Sequence, residues 1–258
     1  RNHDGQYVFS KTISDKLSYQ RVFKDSEPLE GLDKHGLLGA WSLIKSSDEK
    51  QILVASYQSN AISVFDVSAN MDILFSHAIR STNIDLGKPV SLALSPSSSE
   101  LFVVGYEKHR LTIFDRKTSG ELAVKQIIDM NSKQINQCLN PQKIVVSASG
   151  EFLYLACAGS NSIAVFERVD QQYALVQTIS NSAIGGSGLT GVGSLALSHD
   201  GNSLYTGAEG DSGLLIFGIK ASGELNLKRR LTFKEHGIRA VSSIALTNDG
   251  KYLLTTLA

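Results

Sequence analysis

Cysteine is scarce in this chain: Cys138 and Cys157 are its only two in 258 residues, too few for a disulfide framework and without metal-ligand spacing. One bridge between them is open; a pair of buried thiols is the expectation. Net charge is absent too. Twenty-five Lys and Arg balance twenty-five Asp and Glu, pI is about 7.2, and no field favours DNA, RNA or an anionic membrane. No apolar run approaches the ~20 residues of a membrane helix, so no membrane insertion is expected. The six histidines show no metal spacing, and Gly185-Gly186-Ser187-Gly188 lacks the Lys-Ser/Thr of a phosphate-binding loop. No cofactor is expected. The first residue is Arg1, not Met, which reads as a processed or excised chain. Localisation stays open, with a secreted, periplasmic or cell-surface setting favoured.

What the chain has is a repeat. Residues 89–114, PVSLALSPSSSELFVVGYEKHRLTIF, read strand, polar turn, strand, turn, strand, and residues 41–65, 142–166 and 192–217 repeat the pattern. Ser46, Ser95, Ser147, Ser198 and Thr247 close the first strand of each copy. The positions four residues earlier, Ser42, Ser91, Lys143, Ser194 and Ser243, stand 49, 52, 51 and 49 residues apart. With a more polar fourth strand in each copy, this is the period of a propeller blade. The closing hydroxyl suits a side-chain cap on the turn behind it.

The expected fold is an all-β, single-domain β-propeller of four-stranded antiparallel blades at about 39–80, 89–129, 141–180 and 191–233. Residues 1–24 carry two outer-strand patterns and residues 239–258 two inner-strand ones. Their pairing in a composite blade predicts a closed five-bladed ring without free sheet edges. The alternative is a fragment of a six- to eight-bladed ring.

The phrases SLALSPSSSELFVVG, SLALSHDGNSLYTG and SIALTNDGKYLLTT, each in a copy built to the same plan, resemble the repeat of bacterial lactonase-like propellers of the 6-phosphogluconolactonase type and of related surface-protein propellers. The resemblance runs from Tyr7 to Leu257. It implies a seven-bladed relative and a lactone-hydrolase activity, but no family catalytic residue maps onto a numbered position.

Propellers put function at the channel mouth, on the loops entering the innermost strands and those joining second and third strands. Here these carry His35, Lys88, Asn140, His236 and Arg239, with Tyr57, Asn60, Tyr106, Glu107, His109, Asn161, Glu209 and Asp211 on the second set. Lys143 stands out: an ammonium where four copies have serine. Lys45 replaces a large apolar residue and must pair or reach water. The inner strands bear no facing carboxylates for glycosidase chemistry and the periodic serines have no His–Asp partners. The main expectation is therefore a non-catalytic binding or scaffold module for a protein, peptide or glycan. Its candidate ligand-binding residues are Lys143, His35, Lys88, Asn140, His236, Arg239, Tyr106 and Glu209. The alternatives are a lactonase, with Lys143, Arg239 and His236 serving an anionic sugar and an activated water, and a structural spacer.

Overall fold

Each copy of the repeat folds into an up-and-down antiparallel sheet, because alternating residues fill both faces and Gly, Asp and Ser turns end every strand. The computed structural model describes residues 35–70, 72–80, 84–117, 119–132, 138–232 and 240–257. Blade 1 is β1 (Ala40–Lys45), β2 (Gln51–Ser56), β3 (Ala61–Val67) and β4 (Ile73–Arg80). Blade 2 is β5 (Pro89–Leu94), β6 (Glu100–Gly105), β7 (Arg110–Arg116) and β8 (Leu122–Asp129). Blade 3 is β9 (Pro141–Val146), β10 (Phe152–Cys157), β11 (Ser162–Val169) and β12 (Gln172–Ser180). Blade 4 is β13 (Val192–Leu197), β14 (Ser203–Ala208), β15 (Gly213–Ile219) and β16 (Leu225–Thr232). A two-stranded sheet follows, β17 (Ser243–Leu246) and β18 (Leu253–Thr256).

The closing hydroxyls cap their turns in all five copies. Ser46, Ser95, Ser147, Ser198 and Thr247 accept from the backbone N–H of Gln51, Glu100, Phe152, Ser203 and Tyr252 at 2.9–3.1 Å. Three of these hydroxyls donate onward to an Asp two residues later, Asp48, Asp200 or Asp249.

The core lies between blades. Leu53, Ile62 and Val64 of blade 1 meet Leu92, Leu101 and Phe114 of blade 2; Phe102, Leu111 and Ile113 meet Ile144, Leu153 and Phe166; Tyr154, Ile163 and Val165 meet Leu195, Leu204 and Phe217. One polar seam crosses each of the first two gaps: Gln51 bonds Arg116, and Glu100 holds Lys125 at 2.6 Å and Arg168 at 3.2 Å. At the third gap the corresponding residues are Phe152 and Ile219, and the seam becomes apolar. Gln126 exchanges two hydrogen bonds with the backbone of Tyr173, and Gln177 does the same with Leu225, fastening the outer strands of successive blades.

Two expectations need correcting. The cysteines are bonded: Cys138, before β9, and Cys157, ending β10, form a disulfide with Cα atoms 4.9 Å apart. Both are fully buried. The backbone bond from Ala158 N–H to Asn140 C=O explains their meeting, since it pins the entry loop to the end of the next strand. The five-bladed closure is not confirmed. The inner strands pack in the sequence β1, β5, β9, β13, β17, but β17 and β1 do not pack together as the other neighbours do. Leu43 is 63% exposed although its counterparts Leu92, Ile144 and Leu195 are each 2% exposed; Leu254 is 56% exposed where Leu53, Phe102 and Tyr154 are at 0%. The described blades form an open arc, which fits the larger-ring alternative. The N-terminal half of the composite blade, residues 7–23, lies outside the described residues.

Candidate functional site

The turn between the second and third strands lies against the entry loop of its own blade. Tyr57, Tyr106, Ala158 and Glu209 donate their N–H to the carbonyls of Gly39, Lys88, Asn140 and Gly191 at 2.9–3.3 Å. Both loop sets therefore share one rim. Those four acceptors all have positive φ, from 47° to 66°. Lys88 and Asn140 thus hold a left-handed position that Gly takes without strain and Asn tolerates.

Three of these positions also join blade to blade. Lys88 N–H donates to Asn60 Oδ1 at 2.8 Å, Asn140 N–H to His109 Nδ1 at 2.9 Å and Gly191 N–H to Asn161 Oδ1 at 2.8 Å. Asn60, His109 and Asn161 are consequently architectural; His109 accepts through Nδ1. Asp211 likewise shapes its loop, accepting from Gly188 and Thr190 N–H at 2.7 Å each.

At the mouth, the inner strand of each four-stranded blade opens with a β-bulge whose extra residue is Trp41, Val90, Gln142 or Gly193. Such bulges re-aim side chains at sheet ends. An added Cβ at Gly193 would sit 2.6 Å from Gln142 Oε1, the far end of a flexible side chain that would have to swing aside.

The rim brings some predicted residues together. Tyr57 donates its hydroxyl to Glu107 at 2.5 Å, which holds the phenol's proton on and raises its pKa. The Tyr57 ring lies 6.4 Å from Tyr106 and 6.3 Å from Trp41, with Lys88 Nζ 5.8 Å from its centroid. Asn140 Nδ2 donates to the Tyr106 carbonyl at 3.4 Å. Glu209 stands exposed on the blade 4 turn, its carboxylate without a hydrogen-bond or ion-pair partner among the described residues. His35 is not part of this rim cluster; its ring packs edge-on against Phe75 of the outer strand, 4.8 Å away. His236 and Arg239 lie outside the described residues. Each residue in the Tyr57–Glu107 pair was legible as a loop residue, but their bond was not, because they are fifty positions apart and meet only when blades 1 and 2 pack.

Lys143 sits on β9, half-buried, with no hydrogen-bond or ion-pair partner among the described residues. Burial lowers its pKa. Its counterpart in blade 2, Ser91 Oγ, accepts the N–H of Ile144 across the blade gap at 3.3 Å. An ammonium has no lone pair and cannot replace that acceptor. Lys45, in contrast, reaches solvent and pairs with Glu49 at 2.6 Å. Among the described residues no group of three or more His, Cys, Asp or Glu could hold a metal, and no helix is long and apolar enough to cross a membrane.

Four-stranded blades stacked through their faces, with their loops gathered on one rim, define a β-propeller. The chain belongs to the lactonase, 7-bladed beta-propeller family, whose model matches residues 7–257. Among solved structures it is similar to a protein of Lactobacillus plantarum (TM-score 0.71, 16% identity, 84% of this chain and 64% of that one). It is also similar to the periplasmic gluconolactonase of Pseudomonas aeruginosa (TM-score 0.66, 18% identity, 84% and 64%). A third is a candidate 6-phosphogluconolactonase of Bacteroides uniformis (TM-score 0.67, 19% identity, 82% and 62%). The chain thus spans less than two thirds of each of these structures. No curated protein matches it. The family match overturns the expected non-catalytic binding or scaffold module. That expectation rested on the lack of a repeated catalytic constellation, and a blade repeat is made of core and turn positions that say little about chemistry.

Proposed function

We propose that the chain acts in hydrolysis of a sugar lactone, with an anionic lactone of the phosphogluconolactone class as the favoured substrate. The family match along residues 7–257 carries this reading. Lactone hydrolysis adds water to the ring carbonyl carbon and breaks the ring C–O bond, leaving an acid and an alcohol. It calls for a group that holds the substrate, a base for the water and charge stabilisation at the carbonyl oxygen.

Lys143 supplies the cation. An anion reaching its partnerless, half-buried ammonium gains a charge-assisted bond without displacing an existing one. Glu209 supplies the carboxylate able to take a proton from water, since Glu107 is already engaged by the Tyr57 hydroxyl. Lys88 and the rings of Tyr57 and Tyr106 offer a surface for the sugar at the blade 1–2 edge of the rim.

The test is acid release in a pH-stat from 6-phosphoglucono-δ-lactone and from glucono-δ-lactone, each against its spontaneous rate. Faster release with the phosphorylated lactone, lost in Glu209→Gln and weakened in Lys143→Ala, is expected. Release at the spontaneous rate with the folded chain would overturn the reading.

A further inference from the structure

The strands packed against β9 are β5, β6, β10 and β13. Their sequences, PVSLAL, ELFVVG, FLYLAC and VGSLAL, hold one charged residue, Glu100. It is committed elsewhere, to Lys125 and Arg168. Among the described residues, Lys143 therefore has no counterion on these four strands packed against its own. Three exposed lysines, Lys45, Lys117 and Lys220, each have a glutamate four residues along the chain, at 2.6–3.0 Å. An amine kept from water and from carboxylates holds its proton weakly, so more of it is free base near neutral pH. Free amines are nucleophiles, and lactones are acyl donors.

We infer that Lys143 is a covalent modification site, acylated on Nζ by uncharged sugar lactones that enter the channel mouth. The Nζ lone pair attacks the lactone carbonyl carbon and forms an amide. The ring C–O bond breaks, and the proton shed by nitrogen passes to the departing ring oxygen, which becomes a hydroxyl. The lactone adds whole, with no leaving group and no oxidant or reductant. An anionic lactone behaves differently. Its charge pairs with the ammonium, keeps the proton on nitrogen and suppresses the attack. The same side chain thus binds one class of lactone and is capped by the other, which makes uncharged lactone a self-limiting inhibitor. This inference rests on the lactone-handling reading above.

The experiment incubates the full chain with glucono-δ-lactone and maps adducts by peptide mass spectrometry. Expected is an adduct on Lys143 several-fold above those on Lys45, Lys117 and Lys220. It should increase from about pH 6 to about pH 8 and fall when 6-phosphogluconate is present. Adducts spread evenly over the lysines, or concentrated elsewhere, would overturn it. Acid release from 6-phosphoglucono-δ-lactone is measured on the same preparation. Hydrolysis without a Lys143 adduct removes this inference alone. An adduct without hydrolysis keeps it and removes the hydrolase reading.

Discussion

The hydroxyl of Tyr57 in blade 1 and the carboxylate of Glu107 in blade 2 share a 2.5 Å hydrogen bond across the gap between their blades. The bond favours the protonated phenol, and the nearby carboxylate charge adds to the effect. Glu107→Gln should therefore move one tyrosine's ionisation back down towards its ordinary value. Ultraviolet phenolate titration of the variant against the parent reads this, and superimposable curves would show that the bond does not persist in solution.

Glu100 is 2% exposed and holds two cations. Glu100→Ala leaves Lys125 and Arg168 facing a buried void without their carboxylate. A loss of about 3 kcal/mol in denaturant unfolding is expected. Replacing all three by apolar residues should recover most of that loss, as Phe152 and Ile219 already do at the next gap.

The Cys138–Cys157 bridge closes a loop with a sequence separation of 19. Reduction, or Cys138→Ser with Cys157→Ser, should cost about 2–4 kcal/mol. The urea midpoint measured with and without reductant tests this. Equal midpoints would mean the bridge is absent from the protein in solution.

Asp200 is held ionised by the Ser198 hydroxyl and the Asn202 N–H, its pKa lowered to about 2. Asp48 and Asp249 are lowered by the same hydroxyl contact from Ser46 and Thr247. A depressed folded-state pKa contributes stability that is complete above the unfolded value near 4 and is lost as pH falls through the folded one. Acid unfolding should therefore begin below about pH 4, and Asp200→Asn should flatten the slope between there and about pH 2. Lys143 has a linkage of the same sign but of different origin, a burial penalty on its charged form rather than a hydrogen-bonded gain. Its amine binds a proton more weakly in the folded chain, so stability rises with pH from its lowered folded pKa towards the ordinary lysine value. Lys143→Met should raise the neutral-pH melting temperature and remove that part of the slope.

Much of this was legible in the sequence, for a definite reason. The hydroxyls at Ser46, Ser95, Ser147, Ser198 and Thr247 act within five residues of themselves, so their local pattern suffices. The rest depends on meetings between blades. Cys138 and Cys157 read as ordinary thiols because the backbone pairing that joins their segments has no sequence signature. Asn60, His109 and Asn161 look like ligand-facing polar residues until their acceptors are seen filled by the next blade's N–H. Blade number was the least legible property. Leu43 and Leu254 carry the same apolar identity whether a neighbouring blade covers them or not.

Steady-state hydrolysis of 6-phosphoglucono-δ-lactone by the full chain and by Lys143→Ala tests the central claim most directly. The account predicts measurable turnover by the parent and a raised KM with a smaller change in kcat for the variant, because Lys143 holds the substrate's anion. Turnover no faster than the spontaneous reaction, or kinetics unchanged by the substitution, would contradict it.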